Sequence, residues 1–96
     1  MNWIFEVSSK TGRKIHLSNE RWAHINQEHP EVAPYLGDIE DTITNPLRIV
    51  PYEDDDNVNY YYKYFKEIQP QYLLVIVKYL NNHGFIITAY FVRNIK

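Results

Sequence analysis

Two apolar runs near the C-terminus dominate the pattern of hydrophobic and polar positions along the chain. Residues 72–79 and 85–92 are rich in β-branched and aromatic side chains, and residues 81–84 between them have the composition of a turn. This pattern predicts a β-hairpin. If the turn is symmetric, Ile76 opposes Ala89 and the hairpin has two unlike faces. One face would carry Leu74, Ile76, Ile87, Ala89 and Phe91, and the other would carry Leu73, Val75, Val77, Tyr79, Thr88 and Tyr90.

The positions upstream of the hairpin predict shorter elements. Ser18 is a good helix N-cap, Trp22 and Ile25 recur at helical spacing after it, and Pro30 ends the segment. The full prediction places strands at 4–7 and 14–17, helices at 19–28 and 37–44, and strands at 48–52 and 59–65. The expected fold is therefore α+β. A short N-terminal hairpin and two helices accompany a four-stranded antiparallel meander, and the first helix packs on its Leu74–Ile76–Phe91 face.

Length and composition narrow the class of protein. The 96 residues suffice for one domain, spanning 1–96, with its own hydrophobic core. The sequence has no cysteine, so it forms no disulfide. No apolar run approaches the roughly 20 residues of a membrane span, and the first residues lack the basic and apolar regions of a secretion signal. We expect a soluble, cytoplasmic protein with no membrane partner.

The charges are distributed unevenly, although the formal net charge is only −2. Residues 1–56 hold eleven acidic and five basic side chains, whereas residues 57–96 hold five basic side chains and one acidic one. The acidic tract at 53–56 is typical of a solvated turn. Because the predicted sheet half is basic, we expect a polyanion to bind there and to avoid the acidic tract.

Histidine is the first candidate for chemistry, because its charge changes near neutral pH. His24 and His29 are five residues apart, or about 140° around a helix, so they do not form a metal-binding pair on one face. With no cysteine and no other metal-binding motif, we expect no metal and no cofactor. His16 falls in a peripheral strand and His83 in a turn, and neither position indicates a function.

His24 lies between Arg21 and Glu28 on the predicted first helix. Spacings of three and four residues place these side chains in one polar stripe. A solvated helix face accounts for such a stripe, and we favour that interpretation for Glu28. His24 is retained as a candidate for chemistry.

Four tyrosines occur within five positions of the predicted strand at 59–65, namely Tyr60, Tyr61, Tyr62 and Tyr64. One interpretation is an amphipathic edge strand. The other is a surface on which nucleic-acid bases stack while Lys63 holds phosphate.

The sheet face that Lys63 occupies depends on the loop after Phe65. With a symmetric loop, Lys63 opposes Leu74 on the apolar face. A bulge of one residue would move it to the face that carries Thr88 and Tyr90. Both registers remain open at the level of the sequence.

Several short motifs occur together in a known group of proteins. They are residues 17–25 (LSNERWAHI), 29–31 (HPE), 42–46 (TITNP), 61–63 (YYK), 72–78 (YLLVIVK) and 84–91 (GFIITAYF). In their order and spacing, across about residues 14–93, the chain resembles small phage- and bacterium-associated domains grouped with the barnase–EndoU–colicin–RelE-like nucleases. The resemblance implies a metal-independent endoribonuclease whose site lies on the open surface of the meander.

The resemblance also implies roles for individual residues. The implied catalytic set is His24, His29, Lys63, Thr88 and Tyr90, and the implied substrate-binding set is Arg21, Tyr61, Tyr62 and Arg93. Such an enzyme uses the ribose 2′-OH of RNA as its nucleophile and therefore excludes DNA. It would suit the toxin of a toxin–antitoxin or phage-associated system, with RNA as substrate, an antitoxin as inhibitor and a homodimer as one assembly.

The competing hypothesis is a non-catalytic binding module whose tyrosine-rich sheet contacts a protein partner. The two hypotheses differ in one geometric expectation. The enzyme hypothesis predicts that His24 and Lys63 line one concave surface with Thr88 or Tyr90. The binding-module hypothesis predicts that His24 and Lys63 lie far apart, buried or paired structurally, with no shared cleft.

Overall fold

A computed structural model of the chain describes residues 3–66 and 69–96. The elements in chain order are strands β1 (Trp3–Ser8) and β2 (Lys14–Ser18), helix α1 (Asn19–Glu28), a 3-10 helix (Pro30–Tyr35), helix α2 (Leu36–Thr44), and strands β3 (Arg48–Pro51), β4 (Val58–Tyr64), β5 (Tyr72–Leu80) and β6 (His83–Val92). Part of the loop after Phe65, residues 67 and 68, lies outside the described residues, as do residues 1 and 2 used in the search for a secretion signal.

The architecture is α+β, as the sequence predicts, but the sheet is larger than the predicted four-stranded meander. Strands β3 to β6 form that antiparallel meander in sequence order. The N-terminal hairpin extends it, giving a six-stranded sheet in the order β1-β2-β6-β5-β4-β3. Strand β2 pairs with β6 in parallel through three residue pairs, so the sheet is mixed. The expectation of purely antiparallel pairing was wrong. In a four-stranded meander the outer edge of β6 would be unpaired, and the N-terminal hairpin covers part of that edge through β2.

Gly84 makes the junction of β2, β5 and β6 sterically feasible. It is the register partner of Ile15 on β2 and of Tyr79 on β5. A Cβ atom at this position would lie 3.0 Å from the side chains of both residues. The glycine at the start of β6 is therefore required by close packing, and the left-handed turn residue is instead Asn81, with φ 59°.

The register of the β5–β6 hairpin differs from the symmetric prediction by one position. Leu73 opposes Phe91 and Val75 opposes Ala89, with a shift between Ile76 and Val77. The turn is two residues long rather than four, because Leu80 pairs with His83 instead of Phe85. The bulge between Ile76 and Val77 then takes back one of these two positions, so that the difference from the prediction is one position along the rest of the hairpin. The predicted core set from β5, Leu74 and Ile76, is consequently on the wrong face.

We call the sheet face that carries the helices the inner face and the opposite one the outer face. The inner face carries Leu73, Val75 and Val77 from β5 together with Ala89 and Phe91 from β6, and it packs on both helices. Thr88 and Tyr90 lie on the outer face, with Ile76 and Leu74 as their partners.

The two helices begin and end close to their predicted positions. The Ser18 side chain accepts a hydrogen bond from the Arg21 backbone N–H at 3.0 Å, which caps α1. Ile25 is fully buried, and Trp22 packs against the same core. Burial of a side chain the size of Ile25 contributes about 2 kcal/mol. The 3-10 helix between α1 and α2 was not predicted, because its two prolines read as breaks rather than as a tight helical turn.

Candidate active site

His29 and Tyr90, both in the implied catalytic set, are in direct contact. Their rings stack with centroids 4.7 Å apart and an angle of 22° between the planes. His29 reaches β6 because β2 pairs with that strand only as far as Phe85. Beyond this point α1 and the 3-10 helix contact β6 instead. The end of α1 and the last third of β6 therefore form one candidate site.

Two hydrogen bonds fix the backbone of His29 and thereby limit where its imidazole ring can lie. Its backbone N–H donates to the Ile25 carbonyl at 2.7 Å, and its own carbonyl accepts from Val32 at 3.0 Å. Glu31 places a carboxylate oxygen 3.8 Å from Nδ1. The ring is 30% exposed, so one side packs on Tyr90 while solvent still reaches the residue.

A cluster of aromatic rings packs on the inner face of β6, opposite the His29–Tyr90 stack. Phe91, the neighbour of Tyr90, meets Tyr35 edge to face at 5.2 Å between centroids, and Phe65 meets both rings. These contacts fix the 3-10 helix against β6 and β4. The His29–Tyr90 stack is therefore anchored on both sides of the β6 backbone.

Thr88 lies two residues before Tyr90 and on the same face of β6. Its Oγ1 is buried and has no hydrogen-bond partner among the residues that the structure describes. A buried hydroxyl without a partner costs about 1–3 kcal/mol. A ligand or an ordered water that completes the hydrogen bond would remove this cost.

His24 and Arg21 lie on a solvent-facing part of α1. His24 Nε2 is 3.3 Å from the Glu28 carboxylate, and both side chains are about half exposed. The described hydrogen bond of Arg21 is made by its backbone, to the Ser18 cap. The polar stripe predicted from the spacing is thus present, and it contains a His24–Glu28 pair.

Lys63 lies on the inner face of the sheet. It opposes Leu73, so the symmetric register with Leu74 is wrong and the strand is displaced by one position, and its Nζ donates to Asp41 on α2 at 2.7 Å. Thr88 and Tyr90 occupy the outer face. Lys63 does not reach those two residues because β5 is also shifted by one position against β6, so that Leu73 and its partner Lys63 lie on the face opposite Thr88 and Tyr90. The surface that the enzyme hypothesis expected Lys63 to share with Thr88 or Tyr90 is therefore not formed, and the structural pairing of Lys63 with Asp41 is what the binding-module hypothesis expected.

The tyrosines and arginine of the implied substrate-binding set are dispersed. Tyr61 is buried on the inner face, and its hydroxyl is hydrogen-bonded to that of Tyr79. Tyr62 is buried on the outer face, where its hydroxyl accepts from the Lys96 backbone N–H at 3.4 Å. Arg93 follows β6 and is exposed.

Burial shifts the pKa of the Tyr62 and Tyr79 hydroxyls in the same direction. Desolvation raises the pKa of Tyr62, and it raises that of Tyr79 further with help from the hydrogen bond to Tyr61. Both phenols therefore stay protonated at neutral pH and act as hydrogen-bond donors or acceptors rather than as bases.

Two rows of side chains cross the outer face from β6 to β3. One row consists of Thr88, Ile76, Tyr60 and Val50, and the next consists of Tyr90, Leu74, Tyr62 and Arg48. Adjacent strands are about 4.8 Å apart, so the backbones of Thr88 and Tyr60 are separated by roughly 10 Å. A cavity of about 230 Å³ near the far end is lined by residues that include Tyr60 and Lys96. Tyr52 stacks on Tyr60 there with centroids 5.5 Å apart.

A second group of ionisable side chains lies at the opposite end of β6. His16 Nδ1 is 2.6 Å from His83 Nε2, and that nitrogen is 3.7 Å from a Glu6 carboxylate oxygen. Trp3 stacks on the His16 ring at 3.8 Å between centroids. Burial, followed by the nearby His83, lowers the pKa of His16, whereas Glu6 opposes the shift.

Sequence reasoning assigned no function to His16 and His83. A symmetric turn between the predicted strands would pair Glu6 with Ile15, whereas the observed register pairs Glu6 with His16. The contribution of His83 had no local signal, since it depends on the parallel pairing of β2 with β6.

Comparison with protein families provides the decisive observation. A family model described as phage-Barnase-EndoU-ColicinE5/D-RelE like nuclease2 (PBECR2) matches residues 5–95, nearly the whole chain. The chain belongs to the PBECR2 family. Neither the curated proteins nor the solved structures gave a significant match.

Membership in PBECR2 identifies the chain as a nuclease-type domain and confirms the resemblance drawn from the sequence motifs. The matched region contains every residue of both implied sets. Among residues 3–66 and 69–96, no helix is long and apolar enough to cross a membrane.

Proposed function

We propose that the protein is a metal-independent endoribonuclease that cleaves RNA through attack of the ribose 2′-OH on the adjacent phosphorus. The observation that carries the proposal is the His29–Tyr90 stack beside the unpartnered Thr88 hydroxyl, in a chain of the PBECR2 nuclease family. Family membership supports nuclease chemistry in general, and the contact supports a location for it.

The reaction requires a base for the 2′-OH, an acid for the leaving 5′-oxygen and a group that stabilises charge on the phosphate. We assign the base to His29, whose ring is positioned by Tyr90 and whose Nδ1 faces Glu31. The Thr88 hydroxyl would donate to a phosphate oxygen and thereby gain its missing partner. Side chains supply each of these roles, so the cleavage needs no metal.

Two residues compete for the role of the acid. The Tyr90 hydroxyl belongs to a ring already in contact with His29. His24 lies on the preceding helix and is exposed, but its ring is paired with Glu28. Because Tyr90 is in the contact and His24 needs a rearrangement, we assign the acid to Tyr90. Tyr90→Phe should then lower the rate more than His24→Gln, and the reverse order would transfer the role to His24.

The RNA strand would cross the outer face along the two rows of side chains. Bases would stack on tyrosine rings near Tyr60, and Arg48 and Lys96 would contribute positive charge. Tyr62 becomes available only if the C-terminal residues move away, because Lys96 contacts its hydroxyl. Binding through phosphates should weaken steeply with salt.

Cleavage of labelled single-stranded RNA in EDTA tests the proposal. The expected products carry 2′,3′-cyclic phosphate ends, while DNA and RNA with a 2′-O-methyl group at the scissile position stay intact. Circular dichroism in the same buffer verifies that EDTA leaves the fold unchanged. Absence of cleavage across RNAs of varied sequence, or cleavage that depends on an added metal, would contradict the proposal.

A protein-binding role is a second candidate function, favoured by exposed aromatic surface at the β3–β4 end of the sheet. Tyr52 and Tyr64 are 38% and 48% exposed. Aromatic side chains are enriched where proteins bind one another. The partner would be an antitoxin or a second copy of the chain. Light scattering at several protein concentrations tests the second copy, and co-expression with a neighbouring open reading frame tests an antitoxin.

A further inference from the structure

Glu6, His16 and His83 form a cluster that the proposed nuclease chemistry does not use. Their ligand atoms, one from each residue, lie within 4.8 Å of one another. His83 and Tyr90 are both on β6, seven residues apart, which corresponds to roughly 23 Å along a strand. The cluster is therefore remote from the His29–Tyr90 stack.

The chemistry of the three donors fits a transition-metal ion. Two imidazole nitrogens and one carboxylate oxygen form a donor set that zinc accepts, with bonds of about 2.0–2.2 Å. Magnesium and calcium prefer oxygen ligands throughout, so two imidazoles disfavour them. Three protein ligands leave a fourth position of a tetrahedral ion for water or another ligand.

The geometry also fits after adjustment of the side chains, because no two of the ligand atoms are more than 4.8 Å apart. Ligand atoms around a tetrahedral zinc ion are about 3.3 Å apart. The His83–Glu6 separation of 3.7 Å is close to this value, and the His16–His83 separation of 2.6 Å must open by less than about 1 Å. Rotation of the half-exposed His83 side chain can provide this opening.

The sheet holds the three ligands together before any ion binds. Glu6 and His16 are register partners on β1 and β2, and His83 lies on the adjacent β6. The stack on Trp3 fixes the plane of the His16 ring. Ligands on three neighbouring strands lose little conformational freedom when they bind an ion.

The charges around the cluster permit a divalent cation. Glu6 supplies a negative charge within the ligand set. Lys78, on the same face of β5, is paired with Asp55 at 3.3 Å. Lys14 is the register partner of His83 and is exposed, so its flexible side chain can extend into solvent.

We propose that Glu6, His16 and His83 bind one zinc-class transition-metal ion per chain, joining the N-terminal hairpin to the central sheet. The hydrogen bond between the two imidazoles requires one ring to carry its hydrogen on the nitrogen that faces the other. On binding, the donor ring shifts that hydrogen to its other nitrogen through solvent, so two neutral rings both present a lone pair. No bond of the chain is broken, and no redox change occurs.

Calorimetric titration with zinc chloride tests the site in protein freed of its affinity tag and treated with EDTA. We expect one ion per chain. Cobalt(II) should give the visible absorption bands of a four-coordinate ion with nitrogen ligands. Glu6→Gln and His83→Gln should each weaken zinc binding by about 100-fold or more, since loss of an outer-shell partner alone costs 10–100-fold.

His24→Gln is the matched control, because His24 is also an exposed histidine with a glutamate neighbour. It should leave the zinc affinity unchanged. Circular dichroism identifies any variant that fails to fold, and Glu6→Gln, which preserves the size of an exposed side chain, keeps the test valid if His83→Gln is unfolded. Unchanged binding in a folded Glu6→Gln or His83→Gln variant, or a stoichiometry of half an ion per chain, would overturn the proposal. The RNA assay in EDTA is independent of this outcome.

Discussion

The two ends of β6 each bring a histidine from an earlier part of the chain against the strand, but in different chemical settings. At the C-terminal end, His29 stacks on a tyrosine ring beside a buried hydroxyl without a described partner. At the N-terminal end, His16 and His83 are hydrogen-bonded next to a carboxylate. The first set is suited to proton transfer, and the second is suited to holding a cation. One strand thus carries two candidate sites, which mutations can separate.

The largest expected effect separates the two ends directly. His29→Ala removes the proposed base and should lower the rate of RNA cleavage by about 10²–10⁴-fold, the usual contribution of a general acid or base. Zinc affinity should not change. Gln27→Ala, at an exposed position of the same helix, is the control for helix stability. Full activity of His29→Ala would remove this end of β6 from the mechanism.

Thr88 allows a test in which activity and stability change in opposite directions. Thr88→Val replaces a buried hydroxyl without a described partner by a methyl group of similar shape. We expect the free energy of unfolding to rise by about 1 kcal/mol and the cleavage rate to fall by about 10²-fold. Urea denaturation and initial rates measure the two quantities.

Thr88→Ser provides the matched comparison, because it retains the hydroxyl. It should keep most of the activity of the parent protein. A loss of stability in Thr88→Val would mean instead that the hydroxyl already has a partner, such as an ordered water.

Lys63 tests whether the inner face contributes to catalysis. Because it is paired with Asp41 on α2, we expect Lys63→Met to act mainly on stability. A double-mutant cycle with Asp41→Asn should give a coupling energy of about 0.5–1 kcal/mol, since both side chains are partly exposed. A catalytic Lys63 would instead cause a loss of activity near 10²-fold that persists in the Asp41→Asn background.

The smallest effect concerns Tyr79, which lies on the inner face and is the register partner of Gly84. Burial raises its pKa above the ordinary value of 10.0. The folded state therefore binds the phenolic proton more tightly than the unfolded state, so this stabilisation is complete below pH 10.0 and is lost as the pH rises above it.

Urea denaturation at about pH 8 and about pH 11 measures this dependence. The decline between the two conditions should be shallower in Tyr79→Phe than in the parent protein. Tyr64→Phe, which changes an exposed tyrosine, should show the parent decline. An equal decline in Tyr79→Phe would show that other groups cause the alkaline loss of stability.

The sequence predicted the elements of the fold better than their pairing. Apolar runs, Ser18 and Pro30 located the meander and the first helix, because these signals act over a few residues. The register failed at the β5–β6 hairpin, where both faces are apolar and alternation carries no information about which side faces the helices. A bulge next to Ile76 adds a shift for which the sequence gives no sign.

Some residues of the candidate site were predicted from the sequence, and others were not. His29 and Tyr90 came from motifs shared with a nuclease family, and the structure brings them into contact. Lys63 was assigned by the same route but lies on the inner face with Asp41. The His16–His83 contact could not be foreseen, because it requires a pairing between residues 67 positions apart. The catalytic roles themselves stay predictions.

The parallel pairing of β2 with β6 has a consequence for the order of folding. This pairing closes the loop between Lys14 and His83, which costs about 4 kcal/mol of chain entropy by the logarithmic estimate. The three residue pairs between β2 and β6 offset little of this cost before the surrounding core has formed. The meander and the helices can assemble from contacts that are closer in sequence. The N-terminal hairpin would therefore dock last and open first, so its amide protons should exchange with solvent through a partial opening while those of β5 require global unfolding.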